Sequence, residues 1–316
     1  MLDRVTVSQC TLKNPIHCSG VGVHSGQSVA MTLRPAAPDS GIIFRRTKLS
    51  QGSADVPALW SNAVITPLCT TIEAYGVRIA TIEHLMAALY ASGIDNVLIE
   101  LDADEVPIMD GSSAPFLSLI ASAGRVRQAL TRKAIRILKE VRVEDPDRWA
   151  SLSPSDKGLT INLEIDFESR AIGNQVWSGA ITEECFRHEL AQARTFGFLQ
   201  EVEMLRRMGF ARGGSLENAI VIDDDRILNE GGLRYSDEFV RHKVLDSIGD
   251  LYLMGAPVIG HFTGVRTGHA LNLRLLDEVL SDSEAWEWVE LVTPALVDAP
   301  MGASGQVLSR AVAGAA

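Results

Sequence analysis

Cysteine is scarce, cations are outnumbered and no apolar run is long, and each shortage removes a class of protein. The four cysteines (Cys10, Cys18, Cys69 and Cys185) show no CxxC spacing. Scattered in this way they suit reduced thiols in a cytoplasm better than a disulfide framework. Lys and Arg total 29 against 40 Asp and Glu, a formal net charge of −11. That balance argues against nucleic acid or an acidic membrane surface as the main partner, and any anionic ligand would need a local basic patch. The most apolar stretch, near Leu251 to Gly260, is broken by Gly255 and Pro257, so no transmembrane segment is expected. The N-terminus lacks a basic flank followed by an apolar core, so no signal peptide is expected either. These shortages together predict a cytoplasmic protein.

What is present is enough for a large core. The chain has 316 residues, 46% of them apolar and 22% charged, which allows two domains of ordinary size. Strand-like segments open the first half, at Ser28 to Leu33 and Gly41 to Phe44, with Gly and Pro punctuation. Ile82, Leu85, Met86 and Leu89 repeat at helical spacing within Thr81 to Ser92, and Gly93 supplies a stop. A buried strand at Asn96 to Leu101, a turn at Asp110 to Ser113 and a helix at Pro115 to Ala123 follow.

The second half repeats the order. Strands are expected at Ile135 to Ile137, Val141 to Val143, Leu159 to Phe167 and Ala219 to Ile222, and a helix at Thr182 to Ala193. A long helix, capped by Ser236, runs to about Met254. Two related α+β domains are therefore expected, 1–128 and 129–296, with an Ala-, Gly- and Ser-rich tail at 297–316 expected to be mobile. No low-complexity linker separates the halves, so they should pack closely.

Three short segments carry chemistry. On the long helix, His242, Asp246 and Asp250 are spaced at i, i+4 and i+8 and form one stripe. One turn apart, a His and an Asp can grip a single ion, although a solvated polar face has the same spacing. Glu83-His84 opens the first helix. Adjacent helical residues lie about 100° apart, so both can border one cleft. A carboxylate beside a ligand histidine can take a proton from bound water, while a capping acid and a half-buried histidine would read the same way. The two segments together hold two imidazoles, a carboxylate ligand and a spare carboxylate, the donor set of a hydrolytic zinc site with an open position.

The third segment, Arg266-Thr267-Gly268-His269-Ala270-Leu271-Asn272, places a histidine in an expected loop. A protonated imidazole there could stabilise an oxyanion and later protonate a leaving amine, with Asp250 as the group that orients it and raises its pKa. His17, His24, His188 and His261 compete for these roles, and spacing does not exclude them. In Arg194-Thr195-Phe196-Gly197-Phe198, a hydroxyl beside an aromatic could bind a carbonyl and a planar group, or the segment could be a helix end packing its aromatics. Arg241 and Lys243 flank His242, either as ordinary helix charge or as cations for an anionic substrate such as a phosphate ester.

Taken in order, these blocks resemble the zinc-dependent UDP-3-O-acyl-N-acetylglucosamine deacetylases of lipid A biosynthesis. The resemblance rests on Gly20 to Gly26, Thr81 to Leu89, Gly93 to Asn96, Pro107 to Phe116, Ala193 to Phe198, Leu228 to Arg234, Asp237 to Asp250 and Gly268 to Asn272, and runs from about residue 9 to about residue 290. It implies two similar domains, each a β-sheet with two helices, with the helices sandwiched between the sheets. It implies that His84, His242 and Asp246 bind Zn²⁺, although Fe²⁺ would suit the same donors. Glu83 would be the general base, His269 the electrostatic stabiliser and acid oriented by Asp250, and Thr195 the hydrogen-bond donor to the oxyanion. Phe196 and Lys243 would meet the sugar-nucleotide portion, and Val202, Ala211 and Ser215 would line an acyl passage.

The implied reaction removes the N-acetyl group of UDP-3-O-acyl-N-acetylglucosamine, giving UDP-3-O-acyl-glucosamine and acetate. The implied partner is that UDP-linked acylated amino sugar, with the protein expected to be a monomer, and in some relatives the tail is a signal for a regulatory protease. Two other readings stay open on the residues alone. One is a zinc amidase for another acylated sugar or small amide. The other is a non-catalytic nucleotide- or lipid-sensing module, against which the intact set of Glu83, His84, His242, Asp246 and His269 speaks.

Overall fold

The computed structural model describes residues 4–49, 52–66 and 68–294. The tail expected to be mobile, and any protease signal in it, lie outside the described residues. Two large sheets and a helical layer dominate the architecture, with four smaller sheets of two or three strands beside them. One sheet has five strands in the order Ile16–Val21, Ser28–Pro35, Val97–Leu101, Ile42–Leu49, Gly52–Pro57. Val97–Leu101 is antiparallel to Ser28–Pro35 and parallel to Ile42–Leu49. The other sheet has seven strands around Val258–Val265, which runs parallel to Lys133–Ile137 and Leu159–Asp166 and antiparallel to Arg148–Ser153. Strand residues alternate between buried and half-buried in Leu159–Asp166 and Val258–Val265, as a sheet packed chiefly on one face requires. The same alternation in Val97–Leu101 makes it half-buried rather than wholly buried.

The helices fill the space between. We number them α1 (Glu83–Ala91), α2 (Ala114–Ala123), α3 (Glu183–Cys185), α4 (Leu199–Arg207), α5 (Glu238–Leu251) and α6 (His269–Ser281). Helix α2 packs on Ile16–Val21, α5 on Leu159–Asp166 and Asn174–Ala180, and α6 on Val141–Asp145 and Arg148–Ser153, while α1 packs on α2 and α5. This is the expected α+β class with helices between sheets. Helix α1 is built from strong helix formers and is buried on nearly every side. It ends where Gly93 takes φ +62°, a left-handed conformation that glycine adopts at little cost. The four cysteines are free thiols.

Four local expectations need correction. Helix α5 is not capped by Ser236. It starts at Glu238 after Asp237, whose side chain makes no cap bond and accepts instead from Arg241 Nε at 2.6 Å. It ends at Leu251, and a 3₁₀ turn carries the chain to Met254. The helix expected over Thr182 to Ala193 is one α-turn followed by a π-turn at Phe186–Leu190. Phe186 and Leu190 are the buried residues of that wide turn. Arg194 to Phe198 is not a helix end: Phe196–Phe198 is a short strand parallel to Ile220–Asp223. His269 is not on a loop but is the first residue of α6, after Gly268. Helix α4, with no fully buried residue, was not anticipated; its apolar stripe of Leu199, Val202 and Leu205 lines a cavity rather than the core.

The contact that fixes the centre of the molecule is between α1 and α5. A Cβ on Gly249 would lie 2.1 Å from the Glu83 carbonyl oxygen, closer than any side chain could stand, so the two backbones meet only because position 249 is glycine. Gly249→Ala is expected to lower the free energy of unfolding by about 2 kcal/mol or more, read as a lower denaturant midpoint at unchanged slope. An unchanged midpoint would mean that the helices can part without cost.

Candidate metal centre and active site

The α1–α5 contact sets the N-terminal residues of α1 against the polar stripe of α5. His84, His242 and Asp246 are all buried, and one ligand atom from each lies within 4.8 Å of the others. His84 Nε2 is 3.5 Å and His242 Nε2 3.3 Å from Asp246 Oδ1. His242 Nδ1 donates to the Ala193 carbonyl at 3.0 Å, which leaves the Nε2 lone pair facing the cluster. Burial pushes the His242 pKa down to about 4, in spite of Asp246, so the ring is neutral and able to ligate. Burial opposes the Asp246 charge, but His242 and Lys243 outweigh it and hold the carboxyl well below its usual range.

Asp246 Oδ2 accepts from Lys243 Nζ at 3.0 Å, whereas Oδ1 is buried with no hydrogen-bond partner. A buried, ionised oxygen without a partner is costly, and a cation between it and two imidazoles would satisfy all three. The residues therefore fit a divalent ion, and two nitrogens with one oxygen suit zinc or iron(II).

Beside this cluster stand a carboxylate and an imidazole in opposite electrostatic settings. Glu83 Oε1 is 3.6 Å from His269 Nε2, and burial raises the Glu83 pKa. His269 Nδ1 lies 2.9 Å from Asp250 Oδ2. Burial opposes charge on His269, but Asp250 and Glu83 outweigh it and bring the ring to about 9. Asp250 has no exposure and also accepts from Asn272 Nδ2 at 2.8 Å. The sequence order of Gly268, His269 and Asn272 is what puts both donors on the first turn of α6, within reach of α5.

Two hollows meet at the strand Phe196–Phe198. A cavity of about 380 Å³ is lined by Glu83, His84, His24, Thr195 and Phe196 at one end. Its other walls are largely apolar and include Val202, Ala211 and Ser215, together with Leu205, Leu216 and Val221. An open cleft of about 720 Å³ is lined by Lys243, Arg266 and Arg148, by Phe167 and Phe198, and by acidic residues that include Asp166, Glu168 and Asp224. Glu201 borders both. Thr195 is set by a buried ion pair: Glu238 accepts from Arg194 N at 3.0 Å and Nε at 2.8 Å. The Thr195 N–H also donates to Gly111 O at 2.8 Å, and Gly111 has no room for a side chain because a Cβ would lie 2.1 Å from Asn218 O.

Every residue given a role by the resemblance thus lies at or beside the cluster, in the cavity or in the cleft, whereas Arg241 is occupied by Asp237 and Glu189. Of the competing histidines, His24 lines the cavity, while His261 bonds Thr160 and His17 bonds Thr32 away from it. Sequence reasoning missed Thr70, which touches both Glu83 and Asp250, and the cleft residues Phe167 and Arg266. Only the left-handed conformations of Thr81, Ala211 and Arg266 (φ +59°, +50° and +51°) mark these segments independently, and backbone strain of that kind is not visible in a sequence.

The chain belongs to the family described as UDP-3-O-acyl N-acetylglycosamine deacetylase, whose profile matches residues 9–281. It is 48% identical over 305 residues to the UDP-3-O-acyl-N-acetylglucosamine deacetylase of Haemophilus influenzae (strain 86-028NP), covering 96% of this chain and 99% of that one. The relative of the same name from Acidithiobacillus ferrooxidans (strain ATCC 53993 / BNL-5-31) is 50% identical over 286 residues, covering 90% and 93%. That from Myxococcus xanthus (strain DK1622) is 50% identical over 298 residues, covering 94% of each chain. No helix among the described residues is long and apolar enough to cross a membrane.

Metal content tests the cluster without reference to any reaction. The purified protein is expected to carry roughly one divalent ion per chain. His84→Ala and His242→Ala should lose it, and Glu83→Gln should keep it. Equal metal in all four proteins would place the ion elsewhere.

Proposed function

We propose that the protein removes the N-acetyl group of UDP-3-O-acyl-N-acetylglucosamine, giving UDP-3-O-acyl-glucosamine and acetate, in lipid A biosynthesis. The observation that carries this reading is a buried base and a charged imidazole 3.6 Å apart, beside a two-histidine, one-carboxylate donor set at the junction of an apolar cavity and an open polar cleft. The names of the relatives support it. We read the work as divided between 1–128, which supplies Glu83 and His84, and 129–296, which supplies the remaining site residues, so that neither part is active alone. We further read the protein as a cytoplasmic monomer.

A zinc ion held by His84, His242 and Asp246 would supply Lewis acidity, polarising the amide carbonyl and acidifying the attacking water. The chain's own groups then have separate tasks. Glu83 takes a proton from the water; its burial makes it a stronger base than an exposed glutamate. The Thr195 hydroxyl and the charged His269 donate to the oxyanion that develops as water adds to the carbonyl. His269 passes its Nε2 proton to the sugar nitrogen as the C–N bond breaks. Acetate and the free amine leave.

The two hollows divide the substrate. The apolar walls at Val202, Ala211 and Ser215 suit the 3-O-acyl chain. Lys243 and Arg266 offer charge to a diphosphate, in a protein that is otherwise acidic. Phe167 presents a ring for a planar base, and Phe196 stands where the sugar would pass from cavity to cleft.

The pH profile follows from the two shifts. Glu83 works only when ionised, so activity falls as pH drops below its raised pKa. His269 works only when protonated, so activity falls as pH rises toward 9, and a bound divalent ion would draw both limbs to lower pH. A deacetylation assay is expected to give this bell. Glu83→Gln should lose roughly 10²–10⁴-fold in kcat, and His269→Ala should remove the alkaline limb. UDP should compete with substrate, whereas an amidase for some other amide would ignore it.

A further inference from the structure

Thr70 has no place in the scheme above, yet among the described residues it is the one bonded to both halves of the acid–base machinery. It is fully buried. Its N–H donates to Glu83 Oε2 at 3.0 Å, and its carbonyl accepts from Ile82 N at 3.3 Å. Its hydroxyl contacts Asp250 Oδ1 in a short hydrogen bond and lies 2.9 Å from His269 Nδ1. We propose that Thr70 is a positioning residue for this reaction, locking Glu83 through its backbone and the Asp250–His269 pair through its hydroxyl, so that the base and the acid are held in one frame.

Proton counting shows why a hydroxyl suits this place. Asp250 is an acceptor only, with one oxygen taken by Asn272 Nδ2 at 2.8 Å. The single Thr70 O–H proton therefore goes to Asp250 Oδ1, and the threonine oxygen turns its lone pairs toward His269 Nδ1. With a carboxylate and a hydroxyl oxygen both facing Nδ1, that nitrogen keeps its proton throughout. Nε2 is then the nitrogen that gives and takes a proton, and it is the one 3.6 Å from Glu83. Valine at position 70 would preserve the shape and the backbone bond to Glu83 but leave Asp250 Oδ1 one donor short in a dry site. The ring could then tilt or share its Nδ1 proton differently, while the cavity, the cleft and the three metal-ligating side chains would be untouched.

This inference rests on the deacetylase reading for its kinetic arm only. Thr70→Val and Thr70→Ser are compared with the parent in the metal-loaded full chain. Thr70→Val is expected to lower kcat roughly ten- to hundredfold with KM and bound metal unchanged, and Thr70→Ser to recover most of the loss. In a cycle with Asp250→Asn, the valine should add little once Asp250 is already altered.

The second arm needs no turnover. The downfield ¹H resonance of the His269 Nδ1 proton is expected to move in Thr70→Val and to stay in place in Thr70→Ser. Parental kcat and an unmoved resonance in Thr70→Val would overturn the proposal. So would equal damage in the serine and valine variants, which would assign the effect to packing. If the parent itself failed to deacetylate, the proposed function would fall, and the resonance would still decide for or against Thr70.

Discussion

Helices α1 and α5 touch backbone to backbone at Gly249, and nearly everything chemical in the molecule is arranged around that touch. Glu83 and His84 occupy the first turn of α1, and His242, Asp246 and Asp250 are stacked a turn apart on α5. Brought together, they lose their water. The polar stripe of α5, which in isolation would be a solvated helix face, is buried along with the apolar residues on its other sides. Loops on either side hold the pair in place. Ser113 Oγ donates to the His84 carbonyl at 2.7 Å, and the Arg194–Glu238 ion pair ties the start of α5 to Thr195.

Desolvation of so many charges must be balanced, and the balance shows what the site is for. Glu83, Asp246 and Asp250 bring three negative charges; Lys243 and a protonated His269 bring two positive ones. Among the described carboxylate oxygens, Asp246 Oδ1 is the one that is buried with no hydrogen-bond donor. A divalent cation would reverse the sign of the site and satisfy that oxygen in one step. The same crowding separates the two titratable groups: burial raises the Glu83 pKa, while the neighbouring carboxylates raise that of His269, which suits the proposed roles of base and acid. Acid and base roles thus come from environment, not residue type.

The sequence announced the centre of this arrangement better than its periphery. The i, i+4 and i+8 spacing of His242, Asp246 and Asp250 and the Glu83-His84 pair are local features, legible because helix geometry converts spacing into direction. Their convergence from segments about 160 residues apart was not legible from spacing; it was suggested by the donor chemistry of the two segments taken together and by the resemblance. His269 was read into a loop because Gly268 precedes it, but the glycine is instead the N-cap of α6. The π-turn at Phe186–Leu190 and the partnering of Ala193 O with His242 depend on hydrogen bonds closed by tertiary packing. Thr70 gave no signal at all: a threonine before a strand is unremarkable until its two partners, 13 and 180 residues away, fold around it.

The most direct test of the central claim is a crystal structure of the zinc-loaded protein with diffraction recorded on both sides of the zinc absorption edge. A single anomalous peak bonded by His84, His242 and Asp246, with Glu83 beside it and not coordinated, is the expected result. A peak held by other residues, or none between α1 and α5, would contradict the claim that these helices exist in contact to hold a metal ion.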